Sequence, residues 1–236
     1  MFKRHFSGVN HILLLGWSFS TPIILEELAQ TDLLKKKKIV LIAPKKDIPG
    51  NLPASAKKLG LKIISGDPEN PDDLRLGMPD KASSILINLY GRPDNDEKAI
   101  IIAGQLNALI SQNGDIPKIT AVVEDTSAAQ RITEKYNSRV NPLCIKILFP
   151  AIIAQISRQR CLSQVYDEIL SFRGNEIYFY PAAQYEGATY SQILRAFENA
   201  CTVGLLHRGQ VTLNPPWQLL SKKMTRSLCL RHPLQE

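Results

Sequence analysis

Residues His11–Leu28 read HILLLGWSFSTPIILEEL. Ile12–Leu15 is a short apolar run that Gly16 ends. Trp17 and the small polar group Ser18–Thr21 follow. Pro22 opens a helical pattern in which Ile23, Ile24, Leu25 and Leu28 are apolar. Strand, tight turn and helix start in this order make the first half of a dinucleotide-binding βαβ unit. The glycine fingerprint of such a unit is broken. A G-x-G-x-x-G counted from Gly16 would need glycine where Ser18 and Thr21 stand. The architecture therefore predicts a Rossmann-like unit, and the turn chemistry argues against NAD.

Downstream of the helix Pro22–Leu34, Lys38–Ala43 (KIVLIA) has consecutive apolar residues, as a parallel strand covered on both faces requires. The acid that would hold ribose hydroxyls at its end is missing: Ala43 and Pro44 are followed by Lys45 and Lys46. A short helix within Pro49–Leu59 ends at Gly60, and Leu61–Ile64 is a third strand. Asp67 follows it in Gly66-Asp67-Pro68, at the edge of the sheet where ligands bind. Pro71, Asp72 and Asp73 suit the first turn of the next helix. Ser84–Leu89, Lys118–Val123 and Leu143–Phe149 read as further strands, with helices over Asp96–Gln112 and from Thr126 to Tyr136.

Six alternations of strand and helix in this span predict an α/β fold, a doubly wound parallel sheet. The pattern then changes. Ala151–Ser163 reads as a crossover helix, and Val165–Phe172 as a second, shorter helix. From Asn175 a small α+β lobe begins: EIYFY alternates, Tyr190–Glu198 is helical, and Cys201–Leu206 and Gln210–Leu213 are strands. The expected organisation is a Rossmann-like N-lobe over 1–149, crossover helices over 150–172, a small C-lobe over 173–217, and a basic tail over 218–236.

The chain has 236 residues, 44% hydrophobic and 22% charged, which fits a globular protein with a real core. No apolar run approaches the ~20 residues that cross a bilayer, and no signal peptide is read in MFKRHFSG. The expectation is a cytoplasmic chain. Four scattered cysteines without a CxxC read as reduced, and the four histidines lack metal-ligand spacing. The net charge of +7 comes with Lys35–Lys38 and the basic tail, but without the interleaved aromatics that nucleic-acid binding wants. No nucleic-acid partner is expected.

The sequence also resembles a known family. Gly16-Trp17-Ser18 before an apolar helix, Gly66-Asp67-Pro68 with Asp72-Asp73-Leu74, Val122-Val123-Glu124-Asp125, and Ser171-Phe172-Arg173-Gly174-Asn175-Glu176-Ile177-Tyr178 are similar to the cytoplasmic regulatory region of Castor/Pollux-type ion channels. That region is of the regulator-of-potassium-conductance, TrkA-N-like class. The resemblance covers roughly residues 10–217. It implies a Rossmann-like lobe, a crossover helix and a C-lobe that pack against neighbours in a ring below a pore. It implies a regulatory module of a cation channel or transporter, of potassium or calcium type, in which binding biases two ring conformations. Partners would be further copies of the chain or a membrane pore subunit, at the cytoplasmic face. Two departures stand out. The chain carries no pore helices, and Gln218–Glu236 lacks the Gly-Asp turn and apolar strand of the family, so that the C-lobe is expected to miss its closing strand. A truncated, non-functional channel fragment is one alternative, and an NAD(P)-binding Rossmann-type oxidoreductase is another.

Three groups of candidate residues follow. For a nucleotide they are Gly16, Trp17, Ser18 and Thr21, where backbone N–H groups at a helix start could receive an anion; against them stands a packed turn with Trp17 covering the sheet edge. For a cation they are Asp67, Glu124 and Asp125, oxygen donors that suit Ca²⁺ or Mg²⁺; against them stand solvated loop acids and helix caps. For assembly they are Ala151–Ser163 with Tyr166, Ile169 and Phe172, whose apolar positions exceed what one face needs. The cofactor is left unassigned, with Ca²⁺ the cation considered and NAD disfavoured. No catalytic residue emerges: there is no nucleophile elbow and no P-loop lysine, and an enzyme is not expected.

Overall fold

A computed structural model describes residues 6–31, 37–110, 116–136, 139–181, 183–207, 209–219 and 226–231. The chain divides into two compact units, 1–158 and 159–236. In the first, strands and helices alternate: β1 His11–Leu15, α1 Thr21–Leu28, β2 Ile39–Ala43, α2 Ala54–Lys58, β3 Lys62–Ser65, α3 Pro71–Leu76, β4 Ala82–Ile87, α4 Asn95–Leu109, β5 Lys118–Val123, α5 Thr126–Tyr136, β6 Val140–Cys144 and α6 Ile145–Arg158. The strands form one parallel sheet in the order β3-β2-β1-β4-β5-β6. The order reverses between β1 and β4, which opens a crevice at the carboxyl ends of these two strands.

Side-chain alternation splits the core into two layers. Leu13 and Leu15 of β1 and Val40 and Ile42 of β2 point to the face covered by α3, α4 and α5, among Leu74, Ile102, Leu106 and Ile132. Leu14, Ile39, Leu41 and Ala43 point to the other face, with Leu25 of α1, Ala56 of α2 and Trp17. The consecutive apolar residues of β1 and β2 are thus explained by burial on both sides, as expected of a central parallel strand.

Several boundaries differ from the sequence pattern. Helix α1 is assigned over Thr21–Leu28, not to Leu34, and residues 32–36 lie outside the described ones. Strand β4 starts two residues early, and the helix expected over Tyr190–Glu198 is α8, Tyr190–Leu194. The larger correction concerns Leu143–Phe149, expected to be a strand. The sixth strand is Val140–Cys144, and Ile145–Phe149 already belongs to α6. Pro150 invites the error, because proline removes an i→i−4 hydrogen bond and usually marks a break. Here α6 runs through it.

In the second unit, α7 Leu162–Leu170, β7 Glu176–Pro181, α8 Tyr190–Leu194, β8 Cys201–His207, β9 Gln210–Leu213 and β10 Arg226–Arg231 follow one another. Their four strands form a sheet in the order β7-β10-β8-β9. Tyr190, Ile193 and Leu205 make its small core, with Tyr185, Ala188 and Phe197 packed against them. The expectation that the last segment holds no apolar strand is overturned here. RSLCLR is β10, and it sits in the middle of the sheet, antiparallel to β7 on one side and to β8 on the other. Only six residues long and flanked by basic residues, it offers too little periodicity to stand out from a basic tail. Lys222 and Lys223 of that tail lie outside the described residues.

Candidate functional site

The turn after β1 is built around Gly16, whose φ of +90° is in the region that favours glycine. A Cβ there would meet Leu89 Cδ2 at 2.3 Å and the Asn88 carbonyl oxygen at 2.8 Å. Gly16 N donates to Ile42 O and Asn88 N to Leu15 O, each at 2.9 Å, so the turn is tied to both neighbouring strands. Trp17 is buried in the layer beneath α1 and α2.

The polar residues of the turn bond to one another. Ser18 N donates to Thr21 Oγ1 at 3.0 Å, Thr21 N donates to Ser18 O at 3.1 Å, and the Ser18 and Ser20 hydroxyls lie 2.9 Å apart. From the far side of the switch point, Asn88 Nδ2 donates to Ser20 Oγ at 3.1 Å. Arg92 Nη2 donates to Trp17 O at 3.2 Å, and the Phe19 and Tyr90 rings meet at 5.1 Å. The loops after β1 and β4 are therefore joined across the crevice in which a pyrophosphate would lie. A dinucleotide would have to displace these contacts.

Beside this joined mouth lies a cleft of about 190 Å³, lined by the loops after β2, β3 and β4 and by α4. Asp47 enters it from a 3₁₀ turn, Lys45–Asp47, and pairs with Arg92 at 2.8 Å. An acid thus stands near the end of β2 after all, four residues past Ala43 and bound to an arginine. Lys98 of α4 pairs with Glu69 at 2.7 Å and with Asp94 at 3.2 Å. The hydrogen bond to the Glu69 carboxylate, with a smaller one to Asp94, holds its ammonium above the ordinary lysine range. Gln105 Nε2 donates to the Glu69 carbonyl. Asp67 lines the same cleft but closes its own turn, its carboxylate accepting from Glu69 N at 3.0 Å. Asp73 is buried, and its carboxylate accepts from Asp67 N at 2.8 Å. Asn70, rather than either acid, caps α3 by accepting from Asp72 N at 2.9 Å.

A second cleft, of about 160 Å³, opens between the starts of α4 and α5. The Asp96 carboxylate accepts from Glu124 N at 2.7 Å and from Asp125 N at 2.8 Å, and so caps the start of α5. Asp125 pairs with Lys146 of α6 at 2.6 Å, an interaction that raises the lysine pKa. Glu124 O accepts from the Cys144 thiol at 3.2 Å. Arg92 lines both clefts.

The structure brings Gly16, Trp17, Ser18 and Thr21 together in one turn, and Glu124 and Asp125 together at another. It does not bring Asp67 to them. Asp67 follows β3 and Glu124 follows β5, four strand steps apart in the sheet, or ~19 Å at ~4.8 Å per step. Among the described residues no group of three or more His, Cys, Asp or Glu is placed to hold a metal ion. The sequence did not single out Asp47, Asn88, Arg92, Asp96 or Lys98. Each acts across a strand or helix, and only the sheet order gathers them. The one readable signal is the Gly91-Arg92-Pro93 loop, which places a cation at a strand end.

Fold and turn together define the class: a Rossmann-like domain followed by a small α+β unit. In known structures the same fold is found in the human SLO3 gating ring, with a TM-score of 0.59 at 14% identity over 94% of this chain and 44% of that one. Residues 147–229 match the family model described as Castor and Pollux, part of voltage-gated ion channel. The chain is 26% identical over 218 residues to the probable ion channel POLLUX of Arabidopsis thaliana, and 26% identical over 220 residues to the ion channel CASTOR of Lotus japonicus. Each alignment covers 87% of this chain, but 26% of POLLUX and 25% of CASTOR. The chain thus spans about a quarter of the length of these relatives, and the resemblance carried by its motifs holds along most of it.

Proposed function

We propose that this chain is a ligand- or cation-sensing regulatory module of a cation channel or transporter, and that it works as a binding module, not an enzyme. It assembles with further copies in a ring at the cytoplasmic face of a membrane, coupled to a pore subunit. Ligand binding shifts the balance between two ring conformations by no more than its difference in affinity for them. The observation that carries this is α6. It is rich in apolar residues, yet none of its residues is buried: Ile147 is 57%, Phe149 59% and Ile153 61% exposed. A single chain gains nothing by presenting such a helix to water, whereas a partner would cover it. The similarity to POLLUX and CASTOR supports the channel context, and the gating-ring fold supports the ring.

Multi-angle light scattering on the purified chain tests assembly. Oligomers are expected, and Phe149→Asp or Ile153→Asp should dissociate them while leaving the circular dichroism spectrum unchanged. A monomer at high concentration would count against the ring. The oxidoreductase alternative is tested by titrating NADH against Trp17 fluorescence, with Trp17→Phe as the control for Trp217, which is exposed. The joined loops predict no saturable change at micromolar NADH.

A further inference from the structure

At the opposite end of the sheet from both clefts, residues 6–10 form a hook. The Phe6 ring turns back beneath Gly8, so closely that a Cβ on Gly8 would lie 2.3 Å from it. Phe6 N donates to Leu76 O at 2.9 Å, at the end of α3. Asn10 takes a left-handed conformation, φ +56°, and donates its N–H to Lys81 O at 2.8 Å. The hook closes over His11, the first residue of β1, which is fully buried. The Phe6 ring meets the imidazole edge-on at 4.6 Å. His11 Nε2 bonds to Gly77 O at 2.8 Å, and as a carbonyl can only accept, Nε2 carries the proton. Nδ1 is buried with no hydrogen-bond partner among the described residues. A second proton would therefore go onto a buried nitrogen with no acceptor beside it among the described residues.

We propose that the hook is a pH-sensitive latch, in which neutral His11 keeps residues 6–10 docked on the end of α3 and protonated His11 releases them. Opening the hook is the simplest way to hydrate Nδ1, because Phe6 is the aromatic cover over the ring. Charged groups also stand around the hook. Lys62 of β3 lies 6.0 Å above the Phe6 ring, Lys37 ahead of β2 bonds to Ser83 Oγ, and Ser83 Oγ in turn donates to His11 O. Lys81 and Asp80 follow α3, paired with each other at 3.6 Å, and Asp80 is the acid that favours the charged imidazole. Burial outweighs it and holds the His11 pKa below the ordinary 6.5. The sign follows. The docked state binds fewer protons than the open one, so latch stability is complete above about pH 6.5 and falls with pH through the window below it. This inference does not depend on the channel reading.

The test is amide hydrogen exchange on the full chain between pH 7.5 and pH 5, corrected for intrinsic rates. The Phe6 and Asn10 amides should open by up to about tenfold more per pH unit below 6.5. The Gly16 and Asn88 amides, at the far end of β1 and β4, should not change. His11→Gln, which can still donate to Gly77 O but does not titrate, should abolish the response. Nuclear magnetic resonance titration of the His11 ring in the wild-type chain gives a readout that needs no variant. Hook protection that ignores pH, an equal response in His11→Gln, or a His11 ring that titrates at or above 6.5 with the hook protected would each overturn the proposal.

Discussion

Single residues in this protein are held by partners that are distant in sequence. Gly16 is the clearest case, since its φ and the closeness of Asn88 and Leu89 both exclude a side chain. Gly16→Ala should cost about 1–3 kcal/mol through strain and overpacking, measured as a drop in the denaturation midpoint at unchanged slope. Arg92 acts differently. It joins the loops after β1, β2 and β4 by holding Trp17 O and Asp47. Arg92→Met keeps much of the stem but leaves Asp47 without its cation. The expected loss is about 1–3 kcal/mol, with Asp47→Asn in the same chain recovering part of it. Full additivity of the two substitutions would show that the pair is not coupled. None of these partners was legible in the sequence. Gly16 was visible as a turn residue, but Ser20 with Asn88 and Asp47 with Arg92 meet only after the order β2-β1-β4 has formed.

At the scale of elements, what could be read depended on length and periodicity. Strands β1, β2 and β5 are short, mostly apolar runs, and they fell where expected to within a residue. The region from β6 to α6 did not. Strand β6 is an edge strand that contains Pro142, a position proline tolerates, while the apolar run after it is helix and contains Pro150. An apolar run without alternation is compatible with either element. Pro150 also lends itself to a measurement. Proline there gives up a bond to Lys146 O, so Pro150→Ala should restore that bond and stabilise the helix by about 1–3 kcal/mol. The check is a rise in melting temperature. If melting temperature falls instead, proline at 150 is needed for more than the helix itself, as when it packs against whatever covers α6.

At the scale of the whole molecule, the second unit depends on β10, the last strand among the described residues. In the second unit β10 lies between β7 and β8 and is antiparallel to both, so these two strands share no hydrogen bonds with each other. Ser227 and Cys229 are fully buried and Leu228 nearly so, and the Thr202 hydroxyl lies 3.4 Å from Cys229 Sγ. Removing β10 would leave two separate pieces of sheet with open edges, each too small for independent stability. The first unit has its own sheet and two core layers, and none of its strands pairs with those of the second. A chain ending at Leu219 should therefore lose hydrogen-exchange protection in β7, β8 and β9 while β1, β2, β4 and β5 keep theirs. Leu228→Asp should reproduce this pattern in the full-length chain, because a carboxylate at that position would be buried without a partner. Retained protection in β7 and β8 after truncation would mean that the sheet closes without its middle strand. Loss throughout the chain would mean that the two units fold as one cooperative body. The expected pattern, loss confined to residues 159–236, separates the two units energetically at the same boundary that divides the chain into two compact units.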